Sequence, residues 1–260
     1  MNTRLRYGLL MALGLAAVPA AQAADSPWSV SVFGGGALAE DGQLRMPVTR
    51  SIADLGTIDP ALSGTSGSID LDRLNFNDLY RHRYLAGAEV SYGYLPDMEA
   101  FGRFNYESGD GSTRPIGSFT EGTDPTHRPI AGHFSDEDTW SLDLGTRVYF
   151  RANESLRPFA AVSLGATRVS GIKAALALPD ETPDVRFTRT GTVFSQSLEA
   201  GVQYSALQNL DLRFAIDATH FGSLPSVRNP TALETDLQTN QSTRDRWAFP
   251  VSLGAVYHFG

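Results

Sequence analysis

Five histidines, His82, His127, His133, His220 and His258, are the first residues to test for chemistry, because a chain without cysteine has no thiolate nucleophile and no cysteine zinc site. None of the five stands in a zinc-ligand spacing such as His-x-x-x-His. The best acid–base candidate is Asp217-x-x-His220, with Ser223 following. An aspartate that orients an imidazole, which in turn takes a serine's proton, is what ester hydrolysis needs. Strand phase opposes it: Asp217 and His220 fall on opposite faces of an alternating segment. Gly34-Gly35-Gly36 opens no amphipathic helix and brings no phosphate-loop lysine, so it reads as pliant backbone at a strand end. The acid-rich stretches lack the spacing of a calcium loop. The expectation is a chain with no catalytic residue, no metal site and no cofactor.

The 260 residues carry a net charge of −8, with a single lysine, Lys173, among 21 basic side chains. Such a surface repels phosphate backbones, which argues against nucleic acid as a partner. Residues 1–23 combine a basic start (Arg4, Arg6), an apolar run over 9–18 and the small-x-small box Ala21-Gln22-Ala23. That is the pattern of a cleaved signal peptide, leaving 24–260 as the exported domain.

From there on the dominant period is two, the signature of strands. Eight segments alternate. In the last, Trp247, Phe249, Val251, Leu253, Ala255, Tyr257 and Phe259 share one face, with Ala248, Pro250, Ser252, Gly254, Val256 and His258 on the other. The connections alternate too. Three are short (95–97, 151–157, 205–209) and four are long (39–82, 108–137, 170–191, 222–245). Short and long in strict alternation is the pattern of an up-and-down transmembrane barrel, with tight turns at one end and large loops at the other. The loop over 39–82 carries an apolar scatter (Ile52, Leu55, Ile58, Leu62, Ile69, Leu71, Leu74, Phe76) that predicts a fold over the barrel mouth, with a helical turn within 70–80. Pro250 lacks a ladder donor and predicts a bulge or pairing gap in the last strand.

Which face meets the outside follows from three features. The polar phase is rich in Gly, Ser and Thr rather than Lys and Glu. The apolar phase concentrates its aromatics at strand ends: Tyr92, Tyr94, Phe150, Tyr204, Tyr257 and Phe259 near the short turns, and Tyr106, Trp140, Phe194 and Trp247 near the long loops. Two such belts are what bilayer interfaces select. The middle of the apolar phase is free of charge, and charge in lipid costs a few kcal/mol. The apolar phase therefore faces lipid, and the charges of the other phase crowd the axis: Glu89, Glu99, Arg103, Asp143, Arg147, Glu199, Arg213 and Asp217. Predicted pairings are Glu89 with Arg103, Arg103 with Asp143, Glu99 with Arg147, and Glu199 toward Arg213 or Asp217. An eight-stranded barrel is only wide enough for its own side chains.

On this alternation and the ending Trp247-x-Phe249-x-Val251-x-Leu253-x-Ala255-x-Tyr257-x-Phe259, the chain resembles the small eight-stranded outer-membrane barrels of the OmpA transmembrane-domain, OmpX and opacity-protein group. The resemblance implies an all-β antiparallel barrel in the bacterial outer membrane, inserted by the barrel-assembly machinery reading that ending. It further implies a monomer whose partners are outer-membrane lipid and lipopolysaccharide, with long loops that meet a host or phage surface ligand. The leading functional expectation is a structural, surface-displaying protein. A narrow passive channel along the axis is the alternative, with Arg103 or Arg213 exchanging carboxylates as a gate. A third, a lipid A-modifying enzyme, rests on the similarity of a rim His–Ser pair to such enzymes.

Overall fold

The computed structural model describes residues 27–122, 124–150, 155–177, 182–237, 243 and 245–259. The leader over 1–23 lies outside them. The strands of the first half are β1 (Trp28–Asp41), β2 (Gln43–Arg45), β3 (Val48–Ile52), β4 (Gly67–Leu71), β5 (Leu74–Asn75), β6 (Tyr80–Leu95), β7 (Met98–Gly111) and β8 (Thr113–Glu121). Those of the second are β9 (Asp124–Phe134), β10 (Glu137–Tyr149), β11 (Leu156–Val169), β12 (Lys173–Ala177), β13 (Asp184–Arg186), β14 (Gly191–Leu207), β15 (Leu210–Phe221) and β16 (Arg246–His258). Two short helices, α1 (Phe76–Leu79) and α2 (Ala232–Asp236), belong to the first and last long connections.

The eight alternating segments become one closed barrel, in the order β1-β16-β15-β14-β11-β10-β7-β6, with β1 pairing β6 to complete the ring. All neighbours are antiparallel: consecutive barrel strands are joined by a turn or a returning loop, and the even number of strands makes the closing β1–β16 pair antiparallel as well. Most strands exceed the roughly 9–11 residues that cross a bilayer, and the surplus stands above the apolar belt. Pro250 produces both expected effects. The β1–β16 register slips between Ala37 and Glu40, opposite Pro250, and the β15–β16 ladder skips from Ile216–Val251 to Thr219–Ala248.

Burial is inverted relative to a water-soluble barrel. Leu142, Leu144, Val162, Leu164, Leu198, Phe214, Ile216 and Leu253 point outward and are exposed. Ser29, Ser31, Glu89, Asp143, Arg147 and Glu199 point inward and are buried. The outward aromatics form a belt at each rim; Trp140 packs on Tyr106 at 4.4 Å and Trp28 on Tyr92 at 4.9 Å. A surface of this kind is stable only against hydrocarbon, so the barrel spans a membrane.

The long connections are not open loops. A second sheet, in the order β13-β12-β9-β8-β4-β3, is built from the first three of them above the barrel mouth. Its core is apolar: Leu55, Ile58, Ile69, Leu71, Phe76 and Leu79 come from the first connection, Ile116, Phe119, Ile130 and Phe134 from the second. Ile172, Leu176 and Phe187 come from the third, Leu224 and Leu237 from the fourth, and Val169, Val193, Phe221 and Ala248 from the barrel's upper rim. The apolar scatter of 39–82 thus closes over the mouth as expected, with its helical turn at α1. Ile172, Ala174 and Leu176 of the third connection belong to the cap and not to a barrel hairpin, because β12 pairs with β9 and β13. Helix α2, started by a Thr231–Glu234 capping box, joins the two edges of the cap sheet. Arg50 of β3 donates to Thr235 O at 2.9 Å, while Arg186 of β13 donates to Glu234 at 2.8 and 3.0 Å. Both edge strands, the usual sites of unwanted pairing, are therefore held by one element.

Candidate functional site

Arginines dominate the barrel axis, each held by carboxylates on one side and aromatic rings on the other. Glu89 is the hub: it accepts from Arg103 at 2.8 Å, from Arg147 at 2.9 Å and from Arg213 at 2.5 Å. Arg147, fully buried, also pairs with Glu99 and Glu199, and Arg103 with Glu199 and, at 3.5 Å, Asp217. Arg147 stacks on Phe101 and Phe159, and Arg103 on Phe33 and Phe101, at 4.7–5.4 Å. Those rings fit because the inward residues beside them are glycines; a Cβ at Gly145 would lie 2.4 Å from the Phe101 ring, and one at Gly201 2.6 Å from Phe159. The high glycine content is thus partly explained by a lumen too narrow for two large side chains at one level.

Seven of the eight predicted axial charges are brought together by ion pairs. Asp143 is the exception. It faces Arg103 across the β7–β10 ladder, yet its partners are Asn105 Nδ2 at 2.9 Å, Ser141 Oγ at 2.8 Å and Ser195 Oγ at 3.3 Å. Arg103 reaches the opposite wall instead, where Glu199 and Asp217 offer two acceptors. Glu199 pairs with Arg103 and Arg147 rather than with Arg213, because Arg213 is drawn to Glu89 and Glu99.

A second ionic layer lies higher, and the sequence reading missed it. Glu40 binds Arg83 and, at 2.9 Å, Arg246; Glu137 binds Arg246 at 2.9 Å; Glu107 binds Arg83 at 2.6 Å. Arg246 stacks between Phe76 and Phe221, and Arg83 on Tyr80, so Phe76 of the cap and the aromatics at the upper ends of β15 and β6 form its roof. Extending the inward phase of β7, β10 and β16 by one or two steps would have found Glu107, Glu137 and Arg246. Glu40 was hidden by the β1 bulge, which reverses the phase after Ala37. Between the layers remains a cavity of about 50 Å³ lined by hydroxyls, Asn105 and Asp143, room for a few waters and no more. Near the short-turn end, Asp211 takes His258 at 2.8 Å, Gln203 at 2.6 Å and Arg157. The lumen is filled at three levels.

The rim candidate comes apart. Asp217 lies inside the barrel beside Arg103, whereas His220 stands outside, its ring packed at a tilt against Trp247 with centroids 4.9 Å apart. Asp245 is the acid near it, 3.5 Å from Nε2, and Ser223 donates to that same Asp245 at 2.7 Å. Ser223 and His220 share an acid here, and Ser223 donates to Asp245 rather than to His220. Among the described residues no group of three metal-ligating side chains converges.

No protein-family profile and no curated protein sequence matches the chain. Solved structures similar to it include neisserial surface protein A (12% identity over 89% of this chain and 97% of that one, TM-score 0.42). OprG of Pseudomonas aeruginosa gives 12% identity over 90% and 97%, with a TM-score of 0.42. Ail, the attachment invasion locus protein of Yersinia pestis, gives 13% over 88% and 97%, with a TM-score of 0.38. Like those small outer-membrane barrels, but on the strength of its own closed strand order and inverted burial, the chain is an eight-stranded antiparallel transmembrane β-barrel, here with a folded cap.

Proposed function

We propose that the protein is an outer-membrane surface protein in which the barrel is a closed anchor and the cap is the interacting part. One observation carries this reading: all four long connections contribute to a single apolar core that sits on the mouth of a lumen already plugged by two ionic layers. A channel would leave its axis open, and a mobile display loop would have no core. A cap that is folded before it meets a partner binds without the entropic penalty of ordering a loop. The partners consistent with this reading are a host or phage surface ligand at the cap, lipid and lipopolysaccharide around the belt, and the assembly machinery during insertion.

The test has two parts. Reconstituted into planar bilayers, the wild-type chain shows no stepwise conductance, and Arg103→Ala shows none either because Arg147, Arg213 and the upper layer still block the axis. On intact cells the cap resists trypsin although its arginines are outside. Stable wild-type channels would overturn the closed anchor, and rapid cleavage throughout the cap would overturn the folded one.

A further inference from the structure

The barrel wall has a window. The β1–β6 ladder ends at Gly36–Tyr84, yet β1 runs on to Asp41 and β6 begins four residues earlier, at Tyr80. Above the gap the two segments meet again, where Phe76 N donates to Gly42 O at 3.1 Å and Gln43 pairs with Asn75. The enclosed opening leads into a cavity of about 340 Å³, with Phe76, Tyr80 and the Glu40–Arg83 pair among its walls. Tyr84, an outward tyrosine beside the upper aromatic belt, forms its lower lip, so the window lies at headgroup depth. Backbone groups of an interrupted ladder at that depth need a polar partner, since hydrocarbon offers none.

The chemistry around the opening is cationic. Arg81 is exposed beside it and makes no hydrogen bond or ion pair among the described residues. His82 is exposed too, with Asp110 only at 4.0 Å. The acid of the inner wall, Glu40, is already engaged by Arg83 and Arg246. Below the window the outward face is nearly without side chains: Gly34 pairs with Ala86, and Val32 with Ala88.

We propose that this window binds a lipid of the surrounding leaflet that carries a phosphate monoester, not capped by a cationic headgroup. Its phosphate lies against Arg81, His82 and the free strand edges, and one acyl chain follows the Gly34–Ala86 trough. A phosphate accepts several charge-assisted hydrogen bonds at once, which suits the exposed Arg81 guanidinium beside the His82 imidazole.

Native mass spectrometry of the detergent-solubilised full chain tests this, with dioleoylphosphatidic acid, dioleoylphosphatidylcholine and oleate offered in turn. Phosphatidic acid is retained about tenfold better than the other two, the ratio one such charged contact supports. Arg81→Glu abolishes the preference, as does Ala39→Trp, which fills the window from an exposed position; heat-modifiable gel mobility confirms that each barrel has formed. Arg168→Glu, an exposed arginine beside Trp140 on the distant strand β11, leaves the preference intact. Equal retention of all three lipids overturns the proposal, as does a preference that survives Arg81→Glu. An equal loss in Arg168→Glu overturns it as well, by making the effect one of overall charge, and oleate retained as well as phosphatidic acid removes the phosphate.

Discussion

Arg147 on the barrel axis and Phe119 in the cap are about equally buried, at 0% and 1% exposed, yet their surroundings are opposites. Arg147 is enclosed by Glu89, Glu99 and Glu199; Phe119 belongs to a core of leucine, isoleucine and phenylalanine. The difference lies in the solvent outside. The cap is bathed in water, so removing apolar surface from water stabilises it, at about 25 cal/mol per Å². The barrel is bathed in hydrocarbon as apolar as leucine, so an apolar interior would gain little over its exterior. What holds the lumen is mutual satisfaction of charges that have no other place to go. The upper ionic layer is where the two regimes meet, with carboxylates below Arg83 and Arg246 and the cap's aromatic rings above.

The sharpest way to break that contrast is to remove the hub. Glu89→Ala leaves three arginines short of an acceptor and costs about 3–5 kcal/mol or more, the scale for a broken buried pair. Urea unfolding in micelles, followed by loss of the folded-barrel gel band, reads the change; an effect below about 1 kcal/mol would show that the axial network is not structural. Phe119→Ala costs about 3–5 kcal/mol in the cap alone. It therefore makes the cap protease-sensitive while barrel mobility is unchanged, and a barrel that unfolds with it would mean that the two cores are one. On the lipid face, Leu144 is 75% exposed, and Leu144→Arg costs about 2–4 kcal/mol near the midplane. Leu144→Ala costs about 1–2 kcal/mol by the same unfolding measurement, the lost transfer of its methylenes from water into hydrocarbon, without the cavity cost that truncating a leucine of the cap core would add.

The smallest effect concerns the seam of the cap. Arg186's hydrogen bonds hold the Glu234 carboxyl down to about 2. A depressed carboxylate contributes stability above its unfolded value near 4.5, and that contribution is lost as pH falls toward 2. Limited proteolysis by pepsin should therefore release α2 increasingly between pH 4 and 2. Glu234→Gln should remove the pH dependence of that step and weaken the seam by about 1.5–3 kcal/mol, the range for a charged hydrogen bond.

Much of the barrel was legible because lipid on one side and a narrow lumen on the other force strict alternation. Leu142, Asp143 and Leu144 could be assigned to their faces from spacing alone. The hairpin of β8 and β9 was not legible in the same way. Gly117, at φ +152°, makes a bulge that breaks the alternation between Ile116 and Phe119, so two buried residues stand three apart rather than two. Asp245, the acid beside His220, was also missed. It comes from the far end of the fourth connection, and nothing local marks its approach.

By itself the sequence determined the strands, their faces, the belts and the positions of the long connections, because a period of two and a demand for apolar side chains act on neighbours along the chain. Only the tertiary structure decided which carboxylate meets which arginine, that the four connections share one core, and that β1 and β6 part above Gly36. Those outcomes depend on distances across the lumen and between separate loops, where several partners satisfy the same pattern and only closure of the ring selects among them.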